Sequence, residues 1–373
     1  MRAVLVAALA AGLCVPAALA GPPHVAARAY LVENAATGEV LAARDARARV
    51  PIASITKLMT VLVTLEHAQL DDLVTVAPGA AAIGESTANL RAGERLTVRD
   101  LVQAALIQSA NDAAYSLALY VGGGELAPFV ALMNAKAREL GMTDTHFVRP
   151  DGLDVAGHVS SARDVTVLAQ AAMRIPFVRE TVRKRTATIA GGRTLHTWND
   201  LLGRFPRLLG VKTGHTTAAG WSEVAAARGR GTTIYVTLLG SPSRDERNDE
   251  LAELLAWGLA RYRVVELVAP GRDYGVVRLP FDKGVIRLVP ERKLVRVVRV
   301  DRKLVERVVA PAHVDLPVRA GQRLGEVRVY ADRKLLGRRA LVADRSVDRP
   351  GALARAEWYT GRAAGKVWGW VTP

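Results

Sequence analysis

Apolar residues follow one set of periods up to about residue 264 and a different one beyond it. In the first part, short alternating runs flank long stretches whose apolar positions fall three and four apart. Residues 29–33 and 40–43, separated by the turn residues Asn34-Ala-Ala-Thr-Gly38, predict a β-hairpin. Ile55, Leu58, Met59, Leu62 and Leu65 predict a helix over 54–67, opening just after Pro51. The same spacing predicts helices over 100–120 and 126–140, closed by Gly122 and Gly141, and others over 164–174 and 249–262. Residues 222–227 and 232–239 read as paired strands around Arg228-Gly-Arg-Gly231. Strands, then helices, then strands and a helix predict an α+β domain with an antiparallel sheet.

Beyond 264 the period is two. The runs 276–279, 295–298 and 326–330 alternate, with Gly and Pro between them, and predict a small all-β domain. Glu291-Arg-Lys-Leu-Val295, Asp301-Arg-Lys-Leu-Val305 and Asp332-Arg-Lys-Leu-Leu336 are similar turn-plus-strand units, spaced too unevenly for a repeat array. After Arg349-Pro-Gly351 the period returns to helical. Leu353, Ala356, Tyr359, Ala363, Ala364, Val367, Trp368, Trp370 and Val371 fall on one arc, with Arg355, Arg362 and Lys366 opposite and Trp358 off it. Its charges exclude a spanning helix. Two readings stay open: an interfacial helix on a membrane, or a helix packed on its own domain.

The other end reads as an address. Arg2 precedes an apolar stretch that contains Gly12 and Pro16 and ends Ala18-Leu-Ala20, the pattern of a signal peptide cleaved after Ala20. The chain therefore divides into a signal peptide (1–20), an α+β domain (21–263), a β-rich basic domain (264–343) and an amphipathic tail (344–373). Export is expected, with the tail apposed to a membrane. The single cysteine, Cys14, precludes an internal disulfide and any Cys-rich metal site.

Half the residues are hydrophobic and 23% are charged, which excludes a disordered tail and a polytopic membrane protein. The formal charge is +15, and residues 264–343 hold 18 basic against 9 acidic groups. Arginines there alternate with Val and Leu, as on the solvated face of half-buried strands; a dedicated patch for anionic polymers is the other reading. Only 9 of the 51 basic residues are lysine, a scarcity that bears on the chemistry.

Of ten serines, one has lysine three residues on (Ser54-Ile-Thr-Lys57) and one has asparagine two residues on (Ser109-Ala-Asn111). One Lys-Thr-Gly occurs, Lys212-Thr213-Gly214. Each motif is weak alone, and the three together are not. Ser54 and Lys57 share a helical face, and a serine in a first turn lies near free backbone N–H groups that can hold an oxyanion. A serine hydroxyl needs a base, and lysine serves as one when burial beside a second cation, here Lys212, drives off its proton. Arginine cannot do this, so a chain that otherwise prefers arginine has kept lysine where a proton must move.

In this order the motifs resemble the penicillin-recognising serine enzymes. The surrounding segments narrow the resemblance to the serine D-alanyl-D-alanine carboxypeptidases, the low-molecular-mass penicillin-binding proteins. They are Ala53-Ser-Ile-Thr-Lys-Leu-Met-Thr60, Ile107-Gln-Ser-Ala-Asn-Asp-Ala113, Leu140-Gly-Met142 with Thr145, Asp151-Gly-Leu153 with His158-Val-Ser160, Lys212-Thr-Gly-His215, and Arg247 ahead of Trp257-Gly258. The resemblance spans about residues 28–262. It implies a penicillin-binding/β-lactamase-like domain, an antiparallel sheet flanked by helices, followed by a small all-β domain and an amphipathic anchoring helix. It further implies that Ser54 is acylated, that Lys57 is its base, and that Ser109 and Asn111 line the cleft from an interhelical loop. By the same resemblance, Lys212 supplies positive field from a sheet-edge strand, Thr213 and Arg247 hold the substrate carboxylate, and the N–H groups of Ser54 and His215 form an oxyanion hole beside Gly214.

Two positions depart from the family pattern. Ala110 replaces a glycine in the second motif, and Trp198 stands where many members have an arginine, which removes one carboxylate contact. Asp112 reads as a helix cap rather than a catalytic acid. The seven histidines are scattered and imply no metal, and no cofactor is expected. The expected partners are a peptidoglycan pentapeptide, acylating β-lactams and the outer face of a cytoplasmic membrane, with no nucleic acid. Endopeptidase or β-lactamase activity on the same fold, or non-catalytic binding of an anionic wall polymer, are the alternatives.

Overall fold

The structure, a computed structural model, describes residues 21–368. The signal peptide read at 1–20 lies outside the described residues, as do 369–373 and the tail side chains after Thr360. The chain divides between Arg261 and Tyr262 into two compact units.

In the first unit the main elements run β1 (Ala29–Asn34), β2 (Glu39–Arg44), α1 (Lys57–His67), α2 (Asn111–Val121), α3 (Leu126–Glu139), α4 (Ala162–Ala172), β3 (Leu208–Thr216), β4 (Gly220–Gly229), β5 (Thr232–Ser241) and α5 (Arg244–Ala260). The five strands form an antiparallel sheet in the order β2-β1-β5-β4-β3, which leaves β3 on an edge. β5 is buried almost throughout because both of its faces are covered. Ile234 points toward α5, where a side chain at Gly258 would strike it. Thr237, on the other face, shares a 2.7 Å hydroxyl–hydroxyl hydrogen bond with Thr166 of α4. A strand covered on both sides reads as a near-continuous apolar run, and Ile-Tyr-Val-Thr-Leu-Leu is one. α1 is the central helix, buried from Lys57 to Thr64.

The helix predicted over 100–120 is broken. An α-helical stretch, Val98–Gln103, passes into a π turn, Ala104–Gln108, and Ser109 then turns left-handed (φ 63°) before α2 begins. The apolar period continues through the break, so the pattern conceals it. Tertiary hydrogen bonds hold it: the Asn111 N–H donates to the Ser86 carbonyl at 2.7 Å, and Lys212 Nζ donates to Ser109 Oγ at 2.9 Å. π turns and left-handed non-glycine residues gather at working sites, where surrounding bonds offset their strain. The helix predicted over 249–262 starts earlier, at Arg244, because Ser243 caps it, its hydroxyl accepting the Glu246 N–H at 3.1 Å.

The second unit is mainly β: β6 (Tyr262–Val268), β7 (Val276–Arg278), β8 (Val285–Pro290), β9 (Leu294–Arg299), β10 (Leu304–Val309), β11 (Arg323–Ala331) and β12 (Lys334–Ala343), then α6 (Ala352–Trp368). β6 pairs with β9, and the other five form a sheet in the order β7-β8-β12-β11-β10. Buried Ile286 and Leu288 alternate with exposed Arg287, as on the solvated face of half-buried strands. Several of the arginines are paired: Arg272 with Glu306 at 2.7 Å, Arg299 with Asp301 at 2.5 Å and Arg302 with Asp332 at 2.8 Å. On α6, Trp358, read as off the apolar arc, packs edge-on to Phe281 at 4.9 Å, while Leu353 and Tyr359 remain exposed.

Close backbone approach in the first unit demands glycine at 152. Its φ is +88°, and a Cβ there would lie 2.0 Å from the Ala53 carbonyl oxygen, in the turn that carries Ser54. Gly152→Ala is therefore expected to cost about 3 kcal/mol and lower the melting midpoint by roughly 5–10 °C, measured by calorimetry.

Candidate active site

The site forms where the short 3₁₀ turn Ala53–Thr56, the broken helix before α2 and the edge strand β3 meet. The turn is tight: Ala53 has φ 48°, a left-handed conformation that puts Ser54 at the entrance to α1. Thr56 Oγ1 lies 2.8 Å from His158 Nε2, and His158 Nδ1 accepts the Val148 N–H at 3.1 Å. Since Nδ1 accepts, Nε2 carries the proton and donates to Thr56. Burial lowers the pKa of His158 to about 4, so it braces the turn as a neutral ring.

Lys57 is fully buried, and its Nζ has three partners: Ser54 Oγ at 2.7 Å, Asn111 Oδ1 at 2.7 Å and the Asp151 carbonyl at 2.8 Å. Burial lowers its pKa to about 7, opposed by the charges of Asp151 and Glu85 and helped by Arg149. Desolvation is the main cause, and the charge of Arg149 adds to it. A neutral amine can donate to Asn111 and Asp151 and accept the Ser54 proton on its lone pair. Across the cleft Lys212 is buried too, donating to Ser109 Oγ at 2.9 Å and to the Thr213 carbonyl at 2.8 Å. Burial, with the charge of Lys57 adding to it, holds its pKa well below the usual lysine range.

β3 passes so close to the nucleophile turn that only glycine fits at 214. A Cβ there would lie 2.8 Å from the Ile52 carbonyl oxygen and 3.1 Å from the Ser54 nitrogen. That approach brings the strand's backbone beside Ser54. A cleft of about 270 Å³ opens there, and its lining includes Ser54, Ser109, Thr213, Gly214, His215 and Arg247. Lys57 and Asn111 lie just behind, joined through Lys57 Nζ. His215 stacks on Trp221 with ring centroids 3.9 Å apart.

Arg247 reaches the cleft as a buried residue. Its Nη2 lies 3.2 Å from Asp200 Oδ2 and donates to Asn248 Oδ1 at 2.6 Å, and its Nε lies 3.3 Å from Glu223 Oε2. The last contact is an ion pair without hydrogen-bond alignment, and both Glu223 oxygens lack a hydrogen-bond partner among the described residues. Burial pushes the Glu223 carboxyl up to about 7 despite Arg247. Trp198, which stands where the family pattern has an arginine, also lines the cleft, as do Ser86, Trp221 and Arg244, which were not singled out in the sequence. Trp221 and Arg244 each lie near a motif in sequence, but no spacing marked them. Among the described residues no three His, Cys, Asp or Glu side chains gather to hold a metal ion.

A sequence model of peptidase family S11, the D-alanyl-D-alanine carboxypeptidases, matches residues 17–243. The D-alanyl-D-alanine carboxypeptidase DacD of Salmonella typhimurium is 32% identical over 355 residues, covering 91% of this chain and 90% of the relative. Among solved structures, penicillin binding protein 5 from Haemophilus influenzae has a TM-score of 0.65 at 26% identity, over 88% of this chain and 99% of its own. The carboxypeptidase DacD from Francisella tularensis shares the fold, with a TM-score of 0.65 at 22% identity over 89% of this chain and 96% of its own.

Asp112, read as a helix cap, stands in the first turn of α2 and also reaches beyond it. The N-cap of α2 is Ala110, and the buried Asp112 carboxylate instead accepts the N–H groups of Ala88 at 3.0 Å and Leu90 at 3.0 Å, besides that of Ala113 at 2.9 Å. It thereby ties the loop bearing Ser86 to the start of α2. Asp112→Ala leaves buried donors unpaired, so a loss of about 3 kcal/mol is expected in denaturant titration. Faster amide exchange at Ala88 and Leu90 should accompany it.

Proposed function

The chain belongs to the D-alanyl-D-alanine carboxypeptidase family, and on that footing we propose that it trims the terminal D-alanine of peptidoglycan stem peptides through an acyl-enzyme on Ser54. It is a serine-type carboxypeptidase, a hydrolase. The observation that carries the reading is the buried Lys57 amine, 2.7 Å from Ser54 Oγ with a pKa near 7. At neutral pH it is a base in contact with a hydroxyl that lines the cleft.

Neutral Lys57 takes the Ser54 proton as Oγ attacks the carbonyl of the D-Ala–D-Ala bond. The resulting oxyanion is held by the backbone N–H groups of Ser54 and His215, which the absence of a side chain at Gly214 allows to approach one another. Thr213 and Arg247 bind the terminal carboxylate, and Asn111 holds the substrate amide. The proton taken up by Lys57 is relayed through Ser109, which Lys212 holds, to the leaving nitrogen, so D-alanine departs as a neutral amine and Lys57 is a free base again. Water activated by Lys57 then releases the shortened peptide and restores Ser54. β-Lactams acylate the same serine. The reaction lies outside the cytoplasm in this reading, after export by residues 1–20, with the tail apposed to the outer face of the membrane. Support comes from the n-region, apolar core and Ala18-Leu-Ala20 site, and from exposed Leu353 and Tyr359 on α6.

Ser54→Ala should lower release of D-alanine from an acyl-D-Ala–D-Ala peptide by more than roughly a thousandfold and abolish the penicilloyl adduct seen by mass spectrometry. Wild-type protein that frees no D-alanine would refute the function. The base assignment has its own signature. Below pH 7 Lys57 is protonated and has no lone pair, so acylation by a labelled penicillin should slow about tenfold per pH unit and level off above pH 7. A rate that is flat from pH 5 to 8, or that falls as pH rises, would exclude Lys57 as the base. Glu223 has its pKa in the same range, so Glu223→Gln is the control, and its limb should stay in place.

A further inference from the structure

The cleft is lined by a cation that none of the three motifs contains. Arg244, the first residue of α5, shares its wall with Trp198, Thr213 and Arg247. Its Nε and Nη2 donate to the two oxygens of Asp200 at 2.7 and 2.6 Å, and its guanidinium lies 5.6 Å from the ring centroid of Trp198. A bidentate pair and an aromatic face together fix the plane of this side chain.

The same Asp200 also serves Arg247. Its Oδ2 receives Arg247 Nη2 at 3.2 Å and Asn248 Nδ2 at 3.0 Å. One carboxylate therefore holds two guanidinium groups at one cleft, and the hydrogen bond from Arg244 is the main reason its pKa lies below the usual range. Both arginines spend Nε and Nη2 on these partners, and among the described residues Nη1 of neither has a hydrogen-bond partner. Their depths differ: the Arg247 side chain is 2% exposed and that of Arg244 is 38% exposed. Two arginines against one ionised aspartate leave a net positive charge where an anion can enter. Burial raises the Glu223 carboxyl to about 7, which weakens its opposition to that charge.

We propose that Arg244 is a second carboxylate-binding residue, forming with Arg247 a clamp joined through Asp200 that selects peptides ending in a free α-carboxylate. This rests on the carboxypeptidase reading and adds a determinant of specificity to it. Arg247 anchors the carboxylate from inside and Arg244 closes on it from the rim, while Trp198 keeps the Arg244 plane turned to the cleft. The clamp favours a terminal acid over an amide, or over a further residue, because only the acid offers an anion to both groups.

The test compares an acyl-D-Ala–D-Ala peptide with its C-terminal amide, following release of D-alanine or D-alaninamide by wild type and by Arg244→Gln. The expected result is a KM for the acid raised about tenfold with kcat within about twofold, and an acid-over-amide preference in kcat/KM reduced about tenfold. An unchanged KM and preference, or an equal loss on both substrates, overturns the clamp, because a merely structural arginine would impair acid and amide alike. If the glutamine variant fails to fold, Arg244→Lys carries the test. It keeps the charge, loses the bidentate grip on Asp200, and should give an intermediate loss of preference; full preference in that variant overturns the proposal. Wild type that releases no D-alanine would refute the carboxypeptidase reading itself, a result visible before any variant is compared.

Discussion

An amine buried at the head of the central helix is the constraint on which the rest of the first unit depends. Taking the Lys57 ammonium out of water is costly, and the protein meets that cost with three acceptors on three separate segments: the Ser54 hydroxyl, the Asn111 amide oxygen and the Asp151 carbonyl. Each acceptor has to be brought in by its own piece of architecture. The left-handed residue Ala53 places Ser54, the break at Ser109 places Asn111, and the glycine after Asp151 lets that segment press against the nucleophile turn. The acceptors satisfy the amine without restoring its ordinary basicity, so it remains a base at neutral pH.

The second buried amine extends this logic across the cleft. Lys212 donates to Ser109, so the two lysines hold the two ends of one strained break, and the left-handed serine between the helices has bonded neighbours on both sides. Behind them α5, β4 and the turn at Asp200 supply a different kind of group. Arg247, Glu223, Asp200 and Arg244 form a cluster against the cleft wall in which Asp200 holds both arginines and Glu223 faces Arg247. A partly buried ion cluster of this kind does little for net stability, but it fixes direction, and Arg244 and Arg247 line the cleft.

In the second unit charge works in another way. Its arginines sit on strand faces opposite a compact apolar core of Ile286, Leu288, Leu294, Val327 and Leu341, and several are matched by nearby Asp or Glu. The large formal excess in residues 264–343 is thus spread over a solvated surface. Trp358, a tail residue that packs on Phe281, lay off the arc that the helical wheel marked as apolar, because the wheel records only average direction. Phe281, brought up by a left-handed turn at 281–282, is what gives that side of α6 an aromatic partner.

Most of the fold was legible because it rests on local periods: the hairpin of β1 and β2, α3, the strands β4 and β5, and the change to period two after the first unit. Boundaries moved where a side chain outside the period decided them, as Ser243 did for α5. The break before α2 was hidden, since Leu106, Ile107, Ala110 and Ala113 continue the helical spacing through it and only bonds to Ser86 and Lys212 hold the chain open. At the site, the order Ser54, Lys57, Ser109, Asn111, Lys212 identified which residues belong together, and the scarcity of lysine marked where an amine rather than a guanidinium was required. By itself, then, the sequence determined the chemical groups and their order, because side-chain type and spacing are local properties. Only the tertiary structure decided the state of those groups. The degree of burial sets the pKa of Lys57, the approach of Gly214 to Ser54 sets where an oxyanion can be held, and the sharing of Asp200 sets how two arginines face one cleft. Each depends on distances between segments that no local pattern records.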